Sequence, residues 1–247
     1  MKTLAIVEAR LESPQLRSTL TRKLGSHSVL ELVVRRVTDC ERLDGVIVVA
    51  GETPADDGLV HELVPPDVPV FVSPQRDPLG RFVAALDAYR ADAVVRVCSL
   101  SPFIEPVFID RLVTTAIEHP SYDYIGYRSR SGQPAISSSL GLFAEWCRAD
   151  ALRRVEREAF LTAERQNVTS YVYSHPEEFK LRLIPVPPDL DRDDLRLTIE
   201  LEEDFEHVQA IFEALGHDEL DWRGIAGLLK QQPGLRQRMA ALNRDGA

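Results

Sequence analysis

The chain has 247 residues, of which 44% are hydrophobic and 28% charged, and it carries a formal net charge of −10. That length buries a full apolar core without a disulfide or metal staple, and the acidity excludes nucleic acid or an anionic membrane surface as the main partner. An anionic ligand has to be caught locally, by a basic loop or a helix N-terminus. The 3 cysteines, Cys40, Cys98 and Cys147, are far apart and show no metal-ligand spacing, which fits a reducing cytoplasm. The sequence opens directly on a strand, with no basic-then-apolar leader. No apolar run approaches the ~20 residues of a membrane helix, so a soluble cytoplasmic protein is expected.

In chain order, Leu4-Ala5-Ile6-Val7 is an apolar run suited to a buried parallel strand. Arg10 to Gly25 follows as a basic loop with Arg10, Arg17, Arg22 and Lys23 and little hydrophobic periodicity. Such a loop, leaving the carboxyl end of a first strand, is where open α/β sheets bind anions. Ser28 can cap a helix through about Asp39, with Leu30, Val33, Val34 and Val37 on one face. Val46–Ala50 is a second strand, with Gly51 to Pro54 starting its turn, and Asp56–Val64 a short helix. Val68–Val72 is a third strand, Leu79–Tyr89 an amphipathic helix and Ala93–Val97 a fourth strand. Cys98 to Pro102 is turn-rich, Pro106–Glu118 is helical and Tyr122–Gly126 is another strand. This alternation predicts a mostly parallel α/β sheet with helices on both faces.

From Tyr127 the rhythm breaks. Arg128–Ser139 reads as an unpatterned loop or small hairpin, Leu140–Phe143 as a strand, Ala144–Glu158 and Thr162–Tyr173 as helices. Phe179–Val186 and Leu195–Ile199 read as strands, Glu202–Leu215 as an amphipathic helix, and two short helices close the chain. The expected organisation is one domain over 1–247, with a small excursion at about 127–186 and a helical tail at about 217–247.

The order of these pieces resembles the cytidylyltransferases of spore-coat polysaccharide biosynthesis, relatives of the CMP-KDO and acylneuraminate synthetases. Their opening A-R-M-G-S-T-R-L-P-G-K loop is similar to the stretch from Ala9-Arg10 through Ser13 to Thr19, and their L-L-E to Val29-Leu30-Glu31. V-A-T-x-x-N-P-E-D-D resembles Val49 to Asp57, D-V-L-x-R-Y resembles Asp77 to Phe82, and V-V-R-I-T-G-D-C-P-L-I-D-P resembles Val94 to Pro106. E-R-E-H-V-T-P-Y-I-Y is similar to Glu164 through Tyr173, and L-R-L-T-V-D-T-P-E-D-L to Leu195 through Phe205. Each motif alone is weak, and the series in order is specific.

The resemblance implies a nucleotide-diphospho-sugar transferase fold (GT-A-like, Rossmann-like), usually a homodimer. It implies transfer of CMP from CTP to an acidic sugar, with Mg²⁺, or binding of a CMP-sugar. It points to Ala9, Arg10, Ser13, Asp77, Arg81, Arg96 and Ser101 around the nucleotide, with Arg10 and Glu200 catalytic and Glu200 at the metal.

The sequence also departs from the pattern at the chemistry. The loop's Gly, second Arg and Lys are Glu12, Gln15 and Thr19; the G-D-C-P aspartate is Leu100; the G-L-D-V-E acids are absent from Ser137-Ser138-Ser139-Leu140-Gly141; and Glu-His becomes Gln166-Asn167. Two functions follow: a divergent nucleotidyltransferase using Glu200 with Glu105 or Glu8, or a catalytically inactive relative that binds a nucleotide, a nucleotide-sugar or a protein partner. A sugar-1-phosphate nucleotidylyltransferase is a weaker third. Structural readings stand beside these: Arg10 as a surface arginine paired with Glu12, Glu200 as a solvated carboxylate, Asp77 as a helix N-cap, Arg81 paired with Asp77 at i+4, Arg96 in a buried ion pair, Ser13 and Ser101 as turn formers.

Overall fold

The computed structural model describes residues 1–11, 13–52, 57–216 and 219–245. The expected turn over Thr53 and Pro54 and the start of the next helix at Asp56 lie outside the described residues, as does Glu12. The first half runs β1 (Thr3–Ala9), α1 (Pro14–Thr21), β2 (Lys23–Leu24), β3 (His27–Ser28), α2 (Val29–Thr38), β4 (Gly45–Gly51), α3 (Asp57–Leu63), β5 (Val70–Ser73), α4 (Pro78–Ala88), β6 (Ala93–Cys98) and α5 (Pro106–Glu118). The second half runs β7 (Tyr124–Arg128), a 3₁₀ turn (Ala135–Ser137), β8 (Glu145–Arg148), α6 (Ala149–Glu158), α7 (Thr162–Gln166), α8 (Ser170–Ser174), β9 (Leu181–Pro185), α9 (Glu202–Leu215), α10 (Trp222–Gln231) and α11 (Pro233–Asp245).

A seven-stranded sheet has the order β5-β4-β1-β6-β8-β7-β9. β1 pairs in parallel with β4 and β6, and β7 with β9, while β8 runs antiparallel to both of its neighbours. The period of two along each strand sends side chains to opposite faces. Ala5, Val7 and Ala9 enter one core with α2, α5 and α9. Leu4 and Ile6 enter a second core with α4 and α6. Helices therefore cover both faces, as expected. The direction of strand succession reverses at β1: β4 and β5 lie to one side, β6 to the other. Open α/β sheets bind ligands at such a switch point, outside the strand carboxyl ends.

Four local expectations are corrected. The basic loop contains α1, which Ser13 caps by accepting from the Leu16 N–H; only Leu20 of that helix is buried, so it leaves no periodic signal. Leu140–Phe143 is not a strand; β8 begins at Glu145, inside the expected helix, because Glu145 and Trp146 pair with Arg96 and Val95 of β6. The expected helix at 162–173 splits into α7 and α8. Residues 195–199 are irregular and join no ladder: the N–H groups of Leu197 and Thr198 donate to Ser139 O, and that of Ile199 to Leu100 O at 2.9 Å.

This packing of 139–141 against 195–199 depends on Gly141. Its φ is +65°, and an added Cβ would lie 2.6 Å from the Leu197 carbonyl carbon. Gly132 also has positive φ, +86°, but faces open space. Gly141→Ala should cost about 2–4 kcal/mol, from left-handed strain plus a backbone collision, and Gly132→Ala only about 1 kcal/mol. Urea unfolding of the two variants checks the difference.

Candidate functional site at the carboxyl edge

Arg10 stands immediately after β1, at the switch point. Its side chain is exposed and forms no hydrogen bond or ion pair with any described residue. Ala9 is buried in the strand end behind it. On the far side of the crevice, Ser101 is buried just past β6, where its N–H donates to Cys98 O.

Beneath this mouth, acids and arginines are paired with one another. Glu8, in β1, accepts from Arg81 Nη2 at 2.7 Å, and Arg81 Nη1 donates to the carbonyls of Arg76 and Gln75 at 3.2 and 3.5 Å. Asp77 caps α4 through the Gly80 N–H at 3.0 Å and takes Arg165 Nε at 3.1 Å. The i+4 pair between Asp77 and Arg81 expected on spacing is replaced by these longer-range pairs. Arg165 also donates to the carbonyls of Glu156 and Ala159, so it ties α4 to the end of α6.

Arg96 pairs with Glu145 of β8 at 2.6 Å. The Glu145 carboxylate is wholly buried and also accepts from the Tyr124 hydroxyl at 2.6 Å and from the Thr169 hydroxyl. Burial and the adjacent Glu145 charge push the Tyr124 phenol well above its ordinary range. Burial alone would lower Arg96, but Glu145 more than offsets it and drives the guanidinium upward. This cluster joins β6, β7, β8 and the turn before α8.

Three hollows converge on Glu200. One lies against α1 and is lined by Gln15, Thr19 and Arg22. A second lies outside β6, lined by Cys98, Ser101, Ser137, Ser138 and Thr198, with Glu200 its one carboxylate. The third opens toward α11. Glu200 is half exposed and accepts from Arg196 Nη2 at 2.8 Å. Arg196, only 6% exposed, also grips both carboxylate oxygens of Asp204 at 2.6 and 3.0 Å. The Leu100 carbonyl is bonded to the Ile199 N–H, which brings position 100 alongside Glu200.

That arrangement bears on Mg²⁺, which takes oxygen ligands in strict octahedral geometry. Leu100 offers no side-chain oxygen, Glu200 is committed to Arg196, and no group of three or more His, Cys, Asp or Glu among the described residues is placed to hold a metal. The residues present do not fit a protein-held Mg²⁺. The other carboxylates weighed from sequence are committed as well: Glu8 to Arg81, and Glu105 to the Trp222 N–H at 2.8 Å with Arg36 nearby.

A family model described as cytidylyltransferase matches residues 4–238. The chain belongs to the cytidylyltransferase family. Among curated relatives, it is 26% identical over 219 residues to the spore coat polysaccharide biosynthesis protein SpsF of Bacillus subtilis, covering 86% of this chain and 87% of that one. Among solved structures, it superposes on a cytidylyltransferase from Leptospira borgpetersenii with a TM-score of 0.82 at 21% identity, over 96% of this chain and 97% of the other. A CMP:2-keto-3-deoxy-manno-octonic acid synthetase complexed with CTP gives a TM-score of 0.62 at 12% identity, over 87% and 99%. No helix among the described residues is long and apolar enough to cross a membrane.

In this cytidylyltransferase-family chain, sequence reasoning singled out Arg10 and Glu200 through motif position and passed over Glu145, Arg165 and Arg196. Lone acids and arginines carry no spacing signal; only tertiary pairing reveals them. Glu145→Ala should destabilise the fold by about 3–5 kcal/mol, since it strands Arg96 and two hydroxyls in the interior. Glu145→Gln, which keeps hydrogen bonding, should fall between that variant and wild type in chemical denaturation.

Proposed function

We propose that this cytidylyltransferase-family protein holds a cytidine nucleotide in the crevice outside β1 and β6 and transfers its CMP to a sugar hydroxyl in surface polysaccharide biosynthesis. The observation that carries the reading is Arg10: an exposed guanidinium with no partner among the described residues, at the switch point of a chain with net charge −10. Transfer of this kind depends on positive charge at the triphosphate and on an aligned nucleophile. The acceptor oxygen bonds the α-phosphorus, the bond to the bridging α–β oxygen breaks, pyrophosphate departs with the electron pair, and the hydroxyl proton is lost to solvent. Arg10 would hold phosphate, and the hydroxyls of Ser101, Ser137 and Ser138 would face the reacting group from the hollow beside Glu200. A homodimer in a reducing cytoplasm accompanies this reading.

Leu100 favours a second reading, a nucleotide-binding relative that does not turn over. Pyrophosphate release from CTP and Mg²⁺, with a panel of sugar acceptors, separates the two. The transferase reading expects slow release by wild type and a gain on the order of ten- to a hundredfold in Leu100→Asp, where a second carboxylate joins Glu200. No release by wild type, alongside a CTP-induced rise in melting temperature, selects the binding protein. Absence of that rise sinks both.

A further inference from the structure

The third hollow at Glu200 is the largest, about 820 Å³, and lies between residues 129–140, residues 191–201 and the last turns of α11. Its size suits a sugar. Its neutral polar lining is dense: Ser129, Ser131, Gln133, Ser137, Ser138 and Asn243. Hydroxyls and amides of this kind both donate and accept, as the hydroxyls of a sugar require.

The charges at the wall point the same way. Three carboxylates line it, Asp191, Asp193 and Glu200, against two arginines. Neither arginine is available. Arg192 is closed on both oxygens of Asp194 at 2.7 and 2.8 Å. Arg196 is buried and held by Asp204 and Glu200. At the rim, Arg130 is bound to Asp193. A carboxylate brought here would meet like charge with no uncommitted guanidinium to offset it. The nucleotide side differs, because there Arg10 is free of described partners. Leu242 and Asn243, from α11, lie just beyond the residues matched by the family model, 4–238.

We propose that this cavity holds the sugar, and that the sugar is an uncharged polyhydroxylated one rather than the acidic sugar the resemblance implies. The assignment of the cavity to the sugar rests on the nucleotide reading above, since Glu200 joins it to that crevice. Gln133 and the serines are the specificity determinants, while Asn243, its amide already bonded to the Asp193 and Leu195 carbonyls, holds the wall in place and Leu242 supplies the apolar contact.

The test is saturation-transfer NMR on the full chain with glucose and N-acetylglucosamine against glucuronate and N-acetylneuraminate, with CTP present and absent. The neutral probes should bind roughly tenfold more tightly than the acidic ones. Leu242→Trp, which adds bulk to the α11 wall of the cavity, should weaken the neutral signal, and Gln133→Lys should narrow the gap by admitting the acids. Acidic probes binding as well as or better than neutral ones, neutral binding unchanged in Leu242→Trp, or no signal from any neutral probe overturns the inference. Melting temperature with CTP, measured on the same sample, reports on the nucleotide reading separately, so the failure of one is not mistaken for failure of the other.

Discussion

The guanidinium of Arg196 is the constraint on which the site depends. Almost entirely buried, it donates to Asp204 at the start of α9, to Glu200, to Ser139 and, at 3.4 Å, to Asn243 of α11. One side chain thus fixes the carboxylate at which three hollows meet and pins the two walls of the largest. A buried ion pair of this kind adds little net stability over an apolar contact, but removal of one partner leaves an uncompensated charge. The cluster therefore specifies geometry more than it stabilises the fold. Asp204 reinforces it by accepting from the N–H groups of Glu200 and Leu201.

The same habit recurs along the sheet. Glu8 takes Arg81, Glu145 takes Arg96 and Asp77 takes Arg165, each joining elements distant in sequence. Positive charge is consumed inside the protein, in a chain already acidic overall. At the carboxyl edge Arg10, just after β1, forms no side-chain hydrogen bond or ion pair with a described residue, so it adds a local positive charge at the switch point. This division is the basis of the proposed anion site beside Arg10 and of the proposed preference for an uncharged ligand in the cavity beyond Glu200.

How much of this could be read beforehand depended on whether the signal was local. β1, β4 and β6 are largely apolar runs, α2 follows the Ser28 cap, and α5 and α9 have the expected bounds. The fold was legible from these and from the order of the motifs. β8 was not, because Glu145-Trp146-Cys147-Arg148 has no strand periodicity and is set by pairing with β6. In the site, Arg10 and Glu200 were singled out by their places in the motif series, Arg10 also by following the first strand. The arginine clamps were not, since an ion pair between residues 49 or 73 apart in sequence leaves no trace in either segment.

Arg10, without a partner among the described residues, is proposed to grip the triphosphate. Isothermal titration of CTP into wild type and Arg10→Gln, at about 50 and 200 mM salt, tests it most directly. Loss of one charge-assisted phosphate contact should weaken binding by about tenfold or more and flatten the salt dependence. Equal affinity and equal salt dependence in the two proteins would contradict the account.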